Sequence, residues 1–276
     1  MEIIDGKKLS RIKLAELKTR VQKLNFVPVF VDLIVGDDPV SLQYIGMKEK
    51  RARDIGIAVQ RVSCALDSST ENIIQALQSA LGHDHVCGAI VQLPMPSHID
   101  TQAVLDNIPH DIDVDVLAAA SGEKFYTGTS LLSFPAAQAS FDLLQTVPHD
   151  LSVNVLVVGQ GMLVGRPVTH MLRNAGYTVH VATKMQPVTS DMLSSADVII
   201  SATGVPNIIT GEYIKPGVIL IDAGTAESDG GIVGDIDTAS VQGKAGYIAP
   251  VPGGVGPMTV ALLLENVVIS AEHRTI

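Results

Sequence analysis

The sequence has few cysteines, no excess of positive charge and no long apolar run. Its 276 residues include only Cys64 and Cys87, too few for a disulfide framework and typical of a reducing compartment. The formal net charge is −10, so neither nucleic acid nor an anionic membrane is expected as a partner. No uninterrupted apolar stretch of about 18 residues and no N-terminal signal core are present. We expect a cytoplasmic protein that does not span a membrane.

Motifs of several hydrolase and metal-site classes are also missing. The eight histidines form no H-E-x-x-H motif, and no G-x-S-x-G elbow occurs. Asp111, Asp113 and Asp115 would lie on one side of an extended segment. Because the glycine and glutamate of a calcium loop are absent, we predict no metal site.

What the chain does contain is an alternation of strand-like and helix-like segments. The N-terminal half predicts helices over 7–24 and 40–55 and strands over Val29–Val35, 58–66 and 88–93. It also predicts a helix that begins at a capping box of Ser68 and Glu71 and displays Ile74, Leu77 and Leu81. The C-terminal half predicts helices over 130–147, 167–174 and 257–273, and strands over 153–158, 177–182, 198–202 and 218–221.

This alternation predicts an α/β fold of two α/β domains flanking a cleft, the second a Rossmann-like doubly wound parallel sheet. The expected boundaries are residues 1–139, together with the C-terminal helix 257–276, for the first domain and 140–256 for the second.

A glycine turn in the second half predicts a dinucleotide site. Gly159, Gly161 and Gly165 form G-x-G-x-x-x-G between a strand and a helix, where backbone N–H groups can hold a pyrophosphate. The next strand ends near Lys184 without an acidic residue for the ribose, which favours NADP over NAD. Thr225 follows a later strand, at the end where such sheets bind ligands. An ordinary tight turn is the alternative interpretation.

Polar side chains in the first half are candidates for chemistry. Tyr44 and Lys48 share a face of one predicted helix, and Gln92 closes a buried strand. Taken alone, the pair Tyr44 and Lys48 is typical of an exposed helix surface, and a hydrogen-bonded interior glutamine is the alternative interpretation of Gln92. The segment Pro250–Thr259 holds three prolines and three glycines, so we expect a stiff turn that is neither strand nor helix, with Pro257 in the first turn of the last helix.

These motifs together resemble the methylenetetrahydrofolate dehydrogenase/cyclohydrolase (FolD) family over nearly the whole chain. The resemblance rests on 36–41, Tyr44 with Lys48, 91–94, 113–115, 159–167 and 250–259. It implies NADP-dependent oxidation of 5,10-methylenetetrahydrofolate to the methenyl form, followed by hydrolysis to 10-formyltetrahydrofolate. It also implies a homodimer.

The resemblance assigns roles to individual residues. Tyr44 is expected to stack on the folate, Lys48 to be the catalytic group held by Gln92, and Asp115 to bond the pterin. Because the methenyl product is a cation, Lys48 is expected to be neutral for part of the cycle. The resemblance also assigns Pro252, Gly253 and Gly254 to the substrate pocket wall, and Gly159, Gln160, Gly161, Gly165, Lys184 and Thr225 to the cofactor.

The chain departs from the family pattern at several positions. Gln160-Gly161 replaces an Arg-Ser pair and Thr183-Lys184 replaces a His-Ser or His-Arg pair, so NAD remains an alternative cofactor. Val116 stands where most members have glycine, within a divergent region 116–139. Two other functions stay open: a catalytically weakened paralogue that binds dinucleotide or folate, and a different dehydrogenase of shikimate or amino-acid type.

Overall fold

The structure is a computed structural model that describes residues 1–37, 39–228 and 231–274. In chain order its elements are β1 (Glu2–Ile3), α1 (Gly6–Val21), β2 (Val29–Val35), α2 (Pro39–Asp54), β3 (Ala58–Cys64), α3 (Thr70–Leu81), β4 (Val86–Val91), α4 (Thr101–Leu105), α5 (Ala119–Tyr126), α6 (Pro135–Gln145), β5 (Asn154–Val158), α7 (Gly165–Asn174), β6 (Thr178–Ala182), α8 (Ser190–Ser195), β7 (Val198–Ser201), β8 (Ile219–Asp222), β9 (Ala226–Ser228), β10 (Gly231–Val233), β11 (Tyr247–Ala249) and α9 (Val255–Arg274). The predicted α/β class is confirmed.

The chain divides into two compact units. The six-stranded unit comprises Met1–Ser10 and Phe134–Thr259, and the three-stranded unit comprises Arg11–Ser133 and Val260–Ile276. This division differs from the predicted boundaries at 139/140 and 256/257. The first ten residues join the six-stranded unit because β1 pairs in parallel with β11. A strand of two residues leaves no periodicity in the sequence, so this pairing could not be predicted.

The three-stranded unit is built on a parallel sheet in the order β3-β2-β4. The central strand β2 has the predicted bounds, and its residues 30–34 are all buried. Strand β4 is buried along its whole length. Parallel strands covered on both faces usually read as continuous apolar runs. Asp32, in the middle of β2, is a charged exception that is 0% exposed.

Helix α3 shows how a local prediction failed by one residue. Its N-cap is Ser69, whose side chain accepts a hydrogen bond from the backbone N–H of Asn72, so the predicted capping box of Ser68 and Glu71 is wrong. The buried face consists of Ile73, Leu77 and Ala80 instead of Ile74, Leu77 and Leu81. Two adjacent serines and two adjacent isoleucines make both registers plausible in the sequence.

The six-stranded unit contains a parallel sheet in the order β1-β11-β8-β7-β5-β6. Strands β6 and β7 lie on opposite sides of β5, so the order reverses between β5 and β7. In open parallel sheets, ligands bind beyond the carboxyl ends of the strands at such a switch point. The predicted Rossmann-like arrangement is confirmed, and it directs attention to the turns after β5, β7 and β8.

The last helix, α9, is the one described helix that is long and apolar enough to cross a membrane by length and composition. Its mean hydropathy is 1.3 over an 18-residue window, and 61% of that window is buried inside the protein. The sequence shows no unbroken apolar run here because Glu265 and Asn266 interrupt it. This degree of burial is typical of a core helix.

The turn before α9 is shaped by close backbone contacts. Gly253 has φ +116°, and a Cβ on Gly254 would lie 2.8 Å from the carbonyl oxygen of Pro250. A Cβ on Gly6, at the start of α1, would lie 1.9 Å from the Gly254 oxygen. The turn is therefore held rigidly, as expected. Helix α9 begins at Val255, two residues before the predicted start at 257.

We predict that Gly88→Ala lowers the free energy of unfolding by about 1–3 kcal/mol. Its Cβ would lie 2.6 Å from Val267 Cγ2 and 2.9 Å from Val114 Cγ1, so the core around β4 would be overpacked. Gly122→Ala is the matched control, because a Cβ there meets nothing within 4 Å and alanine favours the helix α5. Urea unfolding measures both variants. A Gly88→Ala protein as stable as the control would contradict this packing.

Candidate active site

Side chains from three elements meet in the three-stranded unit. Asp32 lies in the middle of β2, Lys48 lies in α2, and Gln92 directly follows β4. The Gln92 amide Nε2 donates a hydrogen bond of 2.5 Å to Asp32 Oδ1, and Lys48 Nζ lies 3.0 Å from Asp32 Oδ2. One carboxylate therefore joins the lysine and the glutamine that the sequence singled out.

This ion pair is almost completely removed from water. Asp32 is 0% and Lys48 is 3% exposed, and Lys48 Nζ lies 5.7 Å from the centre of the Phe30 ring. Burying two charges carries a desolvation penalty that their attraction often fails to exceed, and apolar side chains of similar volume are commonly as stable. The stability of the sheet does not require these charges, so the pair indicates a chemical role.

The carboxylates that follow β4 extend the same cluster. Asp113 is 1% exposed, forms a bridge with Ala89 at the sheet edge and accepts a 2.8 Å hydrogen bond from the backbone N–H of Ala118. Burial raises the pKa of Asp113. Turns at 109–116, in which the Asp113 N–H bonds the Pro109 oxygen and the Val116 N–H bonds the Asp113 oxygen, mean that the segment is not extended, so the condition for aligning its three aspartates is not met. The described residues contain no group of three or more His, Cys, Asp or Glu that could hold a metal ion.

Among the carboxyl groups near Lys48, that of Asp115 has the most strongly shifted pKa. Burial raises the pKa of Asp115 to about 7; the positive charge of Lys48 lowers it, whereas the negative charges of Asp113 and Asp32 raise it further. These electrostatic effects place Asp115 in the same charged cluster as Lys48. A carboxyl that titrates near neutrality can both donate and accept hydrogen bonds to a heterocycle.

The next residue, Val116, adopts φ +60°, in the left-handed region that favours glycine. This β-branched side chain is buried, at 1% exposure. Most members of the resembled family carry glycine at this position, which explains why the backbone here is left-handed. A valine in that conformation imposes backbone strain of about 1–3 kcal/mol.

Tyr44 lies in α2, one turn before Lys48, as predicted. Its side chain lies outside the described part of the structure, so the stacking role of Tyr44 stays a prediction. Asp38, in the quoted segment 36–41, also lies outside the described residues.

In the six-stranded unit, the glycine turn after β5 is formed by backbone contacts that only glycine permits. Gly159 has φ +94°, and a Cβ there would lie 2.4 Å from the Ala202 oxygen at the end of β7. A Cβ on Gly165 would lie 2.1 Å from the Gly159 oxygen. Gly161 is exposed, and its Cβ would meet nothing within 4 Å. The N–H groups of Arg166 and Val168 bond the carbonyl oxygens of Gly161 and Val164, so an anion would meet the exposed loop 161–163 before α7.

The side chain of Gln160 braces this turn from inside. Its Nε2 donates to the carbonyl oxygens of Gly159 and Gly165 at 3.0 and 3.2 Å and to Thr169 Oγ1 at 2.9 Å. Gln160 was predicted to contact the cofactor directly. In the structure its amide nitrogen holds the loop, so the carbonyl oxygen of its side chain and its backbone are what a ligand could meet.

The other predicted cofactor residues lie at the carboxyl ends of strands in this unit. After β6, Thr183 Oγ1 accepts hydrogen bonds from the backbone N–H groups of Met185 and Gln186, which fixes a turn that carries the exposed Lys184. Thr225 follows β8 and is also exposed. Both side chains are therefore accessible to a ligand at this end of the sheet.

Two buried carboxylates beneath these turns were missed by sequence reasoning. Asp235 is 0% exposed, and its Oδ2 accepts hydrogen bonds from Ser201 Oγ at 2.7 Å and from the backbone N–H and hydroxyl of Thr203 at 2.6 and 2.8 Å. Asp222, at 1% exposure, accepts three backbone N–H bonds. Burial raises the pKa of Asp222 to about 6. The sequence signal is two short motifs, Gly234-Asp235 and Asp222-Ala223-Gly224. Gly234 leaves room for the Asp222 carboxylate, and Gly224 leaves room for that of Asp235.

Asp32 was missed for a different reason. Its signal is a single charged residue within the apolar run Val-Phe-Val-Asp-Leu-Ile-Val, and a buried charge normally has a partner. The partner could not be identified from the sequence because Lys48 and Gln92 are 16 and 60 positions away.

Comparisons with known proteins match both units. The model of the tetrahydrofolate dehydrogenase/cyclohydrolase catalytic domain matches residues 4–115, and the model of the corresponding NAD(P)-binding domain matches residues 135–275. Among curated proteins, the "Bifunctional protein FolD" of Hydrogenobaculum sp. (strain Y04AAS1) is 37% identical over 277 residues, which cover 99% of this chain and 100% of that protein.

Solved structures agree with these matches. The bifunctional FolD methylenetetrahydrofolate dehydrogenase/cyclohydrolase of Campylobacter jejuni superposes with a TM-score of 0.94 at 35% identity, covering 99% of both chains. The FolD enzyme of Trypanosoma brucei, solved with NADP cofactor and an inhibitor, superposes with a TM-score of 0.93 at 29% identity, covering 99% of this chain and 97% of that one.

The raised pKa of Asp115 predicts that the free energy of unfolding depends on pH. The folded protein retains the Asp115 proton up to about pH 7, whereas the unfolded chain releases it near the ordinary pKa of 3.8. This carboxyl therefore lowers stability as the pH rises through that window. Asp115→Asn removes this titrating group. Between about pH 4 and pH 7 the free energy of unfolding of wild type should therefore fall relative to that of the variant, and above about pH 7 the difference between the two should stay constant. Urea unfolding at several pH values measures this, and parallel pH profiles would refute the shift.

Proposed function

This chain belongs to the tetrahydrofolate dehydrogenase/cyclohydrolase family, and we propose that it catalyses two consecutive reactions of folate one-carbon metabolism. The first is oxidation of 5,10-methylenetetrahydrofolate to 5,10-methenyltetrahydrofolate with NADP. The second is hydrolysis of the methenyl form to 10-formyltetrahydrofolate. The single observation that carries this proposal is the buried contact of Lys48 and Gln92 with one carboxylate, because the three-stranded unit thereby presents the residues that the second reaction needs.

The cofactor site fits a dinucleotide. A Cβ at Gly159 or Gly165 would collide with backbone oxygen atoms, so glycine at both positions permits the tight turn, and its exposed loop 161–163 is open to a pyrophosphate. Gly159, Gly161 and Gly165 would hold the phosphates, and the accessible Lys184 suits a 2′-phosphate, which supports NADP; NAD remains the alternative. Thr225 would face the nicotinamide end of the site. When bound, the cofactor supplies the hydride acceptor.

The folate site would be formed by residues of the three-stranded unit. Asp115 would bond the pterin, Tyr44 would stack against it, and Gln92 would fix the position of the groups around Lys48. Lys48 would move the proton of the attacking water. That Pro252, Gly253 and Gly254 line the substrate pocket stays a prediction from the resemblance.

The rival functions are less well supported. A weakened paralogue would be expected to have lost part of the lysine cluster, yet the described contacts of Lys48, Gln92 and Asp115 form one charged group. A dehydrogenase of shikimate or amino-acid type would need its own acid–base pair, and membership of the folate family at 37% identity argues against it.

We predict that the purified protein forms reduced NADP and a methenyl absorbance when it is given methylenetetrahydrofolate and NADP. Lys48→Met should lower the hydrolysis rate by about 10²–10⁴-fold, because it removes the proton-transfer group. Lys50→Met is the matched control, since Lys50 is an exposed lysine of the same helix that bonds only Asp54 among the described residues. Binding of folate without turnover would support the paralogue, and no response to folate would support another dehydrogenase.

The assembly and location of the protein are part of the proposal. We infer a homodimer from family resemblance, and β3, an edge strand of its sheet, offers a surface for pairing. We infer a cytoplasmic location from the substrate class and from two cysteines that form no disulfide.

Light scattering after size-exclusion chromatography tests the assembly. The expected mass is twice the 29.1 kDa of one chain. An unchanged monomer mass over a range of protein concentrations would refute the dimer.

A further inference from the structure

The two oxygens of Asp32 differ in their partners. Oδ1 accepts the amide hydrogen of Gln92 at 2.5 Å. Oδ2 lies 3.0 Å from Lys48 Nζ in an ion pair, and within the described ranges it has no hydrogen-bond partner. Because no backbone or amide donor occupies Oδ2, this oxygen can take a proton from Lys48 while the Gln92 contact stays in place.

Other cations near Asp32 are already engaged elsewhere. Arg61 is the residue opposite Asp32 in β3, and the charges of the two residues interact. Its guanidinium Nε, however, bonds Glu49 at 2.7 Å, and Glu49 also binds Arg53 at 3.0 Å. Among the described residues Lys48 is thus the cation in direct contact with Asp32.

Negative charges approach the pair from the segment after β4. Asp115 interacts with both Lys48 and Asp32, and Asp113 adds to the same field. Loss of a positive charge at Lys48 without a matching loss of negative charge would leave several buried carboxylates unbalanced. A proton that stays within the pair avoids this imbalance, since the net charge of Lys48 and Asp32 together remains zero.

We propose that Asp32 is the proton partner of Lys48 in the hydrolysis step, an inference that rests on the proposed function. When the cationic methenyl folate is bound, an N–H bond of the Lys48 ammonium breaks, its electron pair stays on Nζ, and an O–H bond forms at Asp32 Oδ2. The lysine is then a neutral base beside a cation, as the chemistry requires.

The remaining proton movements balance. As the water oxygen bonds to the methenyl carbon, its proton moves to Lys48 Nζ. Lys48 passes a proton to the leaving folate nitrogen when the carbon–nitrogen bond breaks, and the hydroxyl proton of the intermediate returns to Lys48. The proton on Asp32 is the one proton that the overall hydrolysis releases. No oxidant or further reactant is needed.

The first test is Asp32→Asn in the full-length enzyme. The amide keeps an oxygen that can accept from Gln92, but it cannot take a proton from Lys48. We expect kcat for hydrolysis to fall about 100-fold, with KM for folate changed less than about threefold.

Glu49→Gln is the matched control. Glu49 is a carboxylate at 3% exposure, adjacent to Lys48 in α2, but its partners are arginines. Its replacement should change stability and leave the hydrolysis rate and its pH profile as in wild type. If Asp32→Asn behaves like Glu49→Gln, Asp32 has only a structural role and the proposal is overturned.

A measurement on wild type covers the case in which Asp32→Asn does not fold. Infrared difference spectra with 13C-labelled aspartate should show a new protonated carboxyl band when the methenyl folate binds. The band should persist in Asp113→Asn and in Asp115→Asn when the methenyl absorbance shows that folate is bound, which excludes the two other nearby carboxyls whose pKa burial raises. Absence of the band in wild type, or its loss in a variant that still binds the methenyl folate, would overturn the assignment to Asp32. A wild-type enzyme that hydrolyses no methenyl folate would instead refute the proposed function.

Discussion

The arrangement of the candidate site in the three-stranded unit depends on a carboxylate that is buried where an apolar side chain would normally lie. A charge in the central strand of a parallel sheet is unfavourable unless it is paired and hydrogen-bonded. Asp32 meets this condition by using one oxygen for Gln92 and the other for Lys48. The same contacts that stabilise the buried charge therefore bring a lysine from α2 and an amide from the end of β4 to one point.

A different constraint, close approach of the backbone, organises the six-stranded unit. Gly159 and Gly165 allow the turn after β5 to fold against itself and against the end of β7. Below it, Asp235 ties Ser201 and Thr203 together, and Gly224 leaves the space that this carboxylate occupies. Both units thus use a buried carboxylate to join segments, and the six-stranded unit adds glycines at positions where no side chain fits.

Much of the fold could be predicted from local pattern, and the failures have physical causes. β2 was predicted with its observed bounds because a β-branched run ends at a glycine. β1 and β11 were missed because strands of two and three residues show no period.

Of the site, Lys48, Gln92 and Asp115 were candidates from the sequence. Asp32 was not, since its partners become visible only when the chain is folded. The left-handed conformation of Val116 could not be read from a β-branched residue type, although family likeness suggested glycine there.

We propose that Lys48, Gln92 and Asp115 form one folate site organised by Asp32. A crystal structure with a non-reactive folate analogue bound would test this assignment directly. We predict that the pterin ring contacts Asp115, that its one-carbon bridge lies beside Lys48 Nζ, and that Asp32 still contacts both Lys48 and Gln92. An analogue bound away from these residues, or a Lys48 side chain separated from Asp32 in the complex, would contradict it.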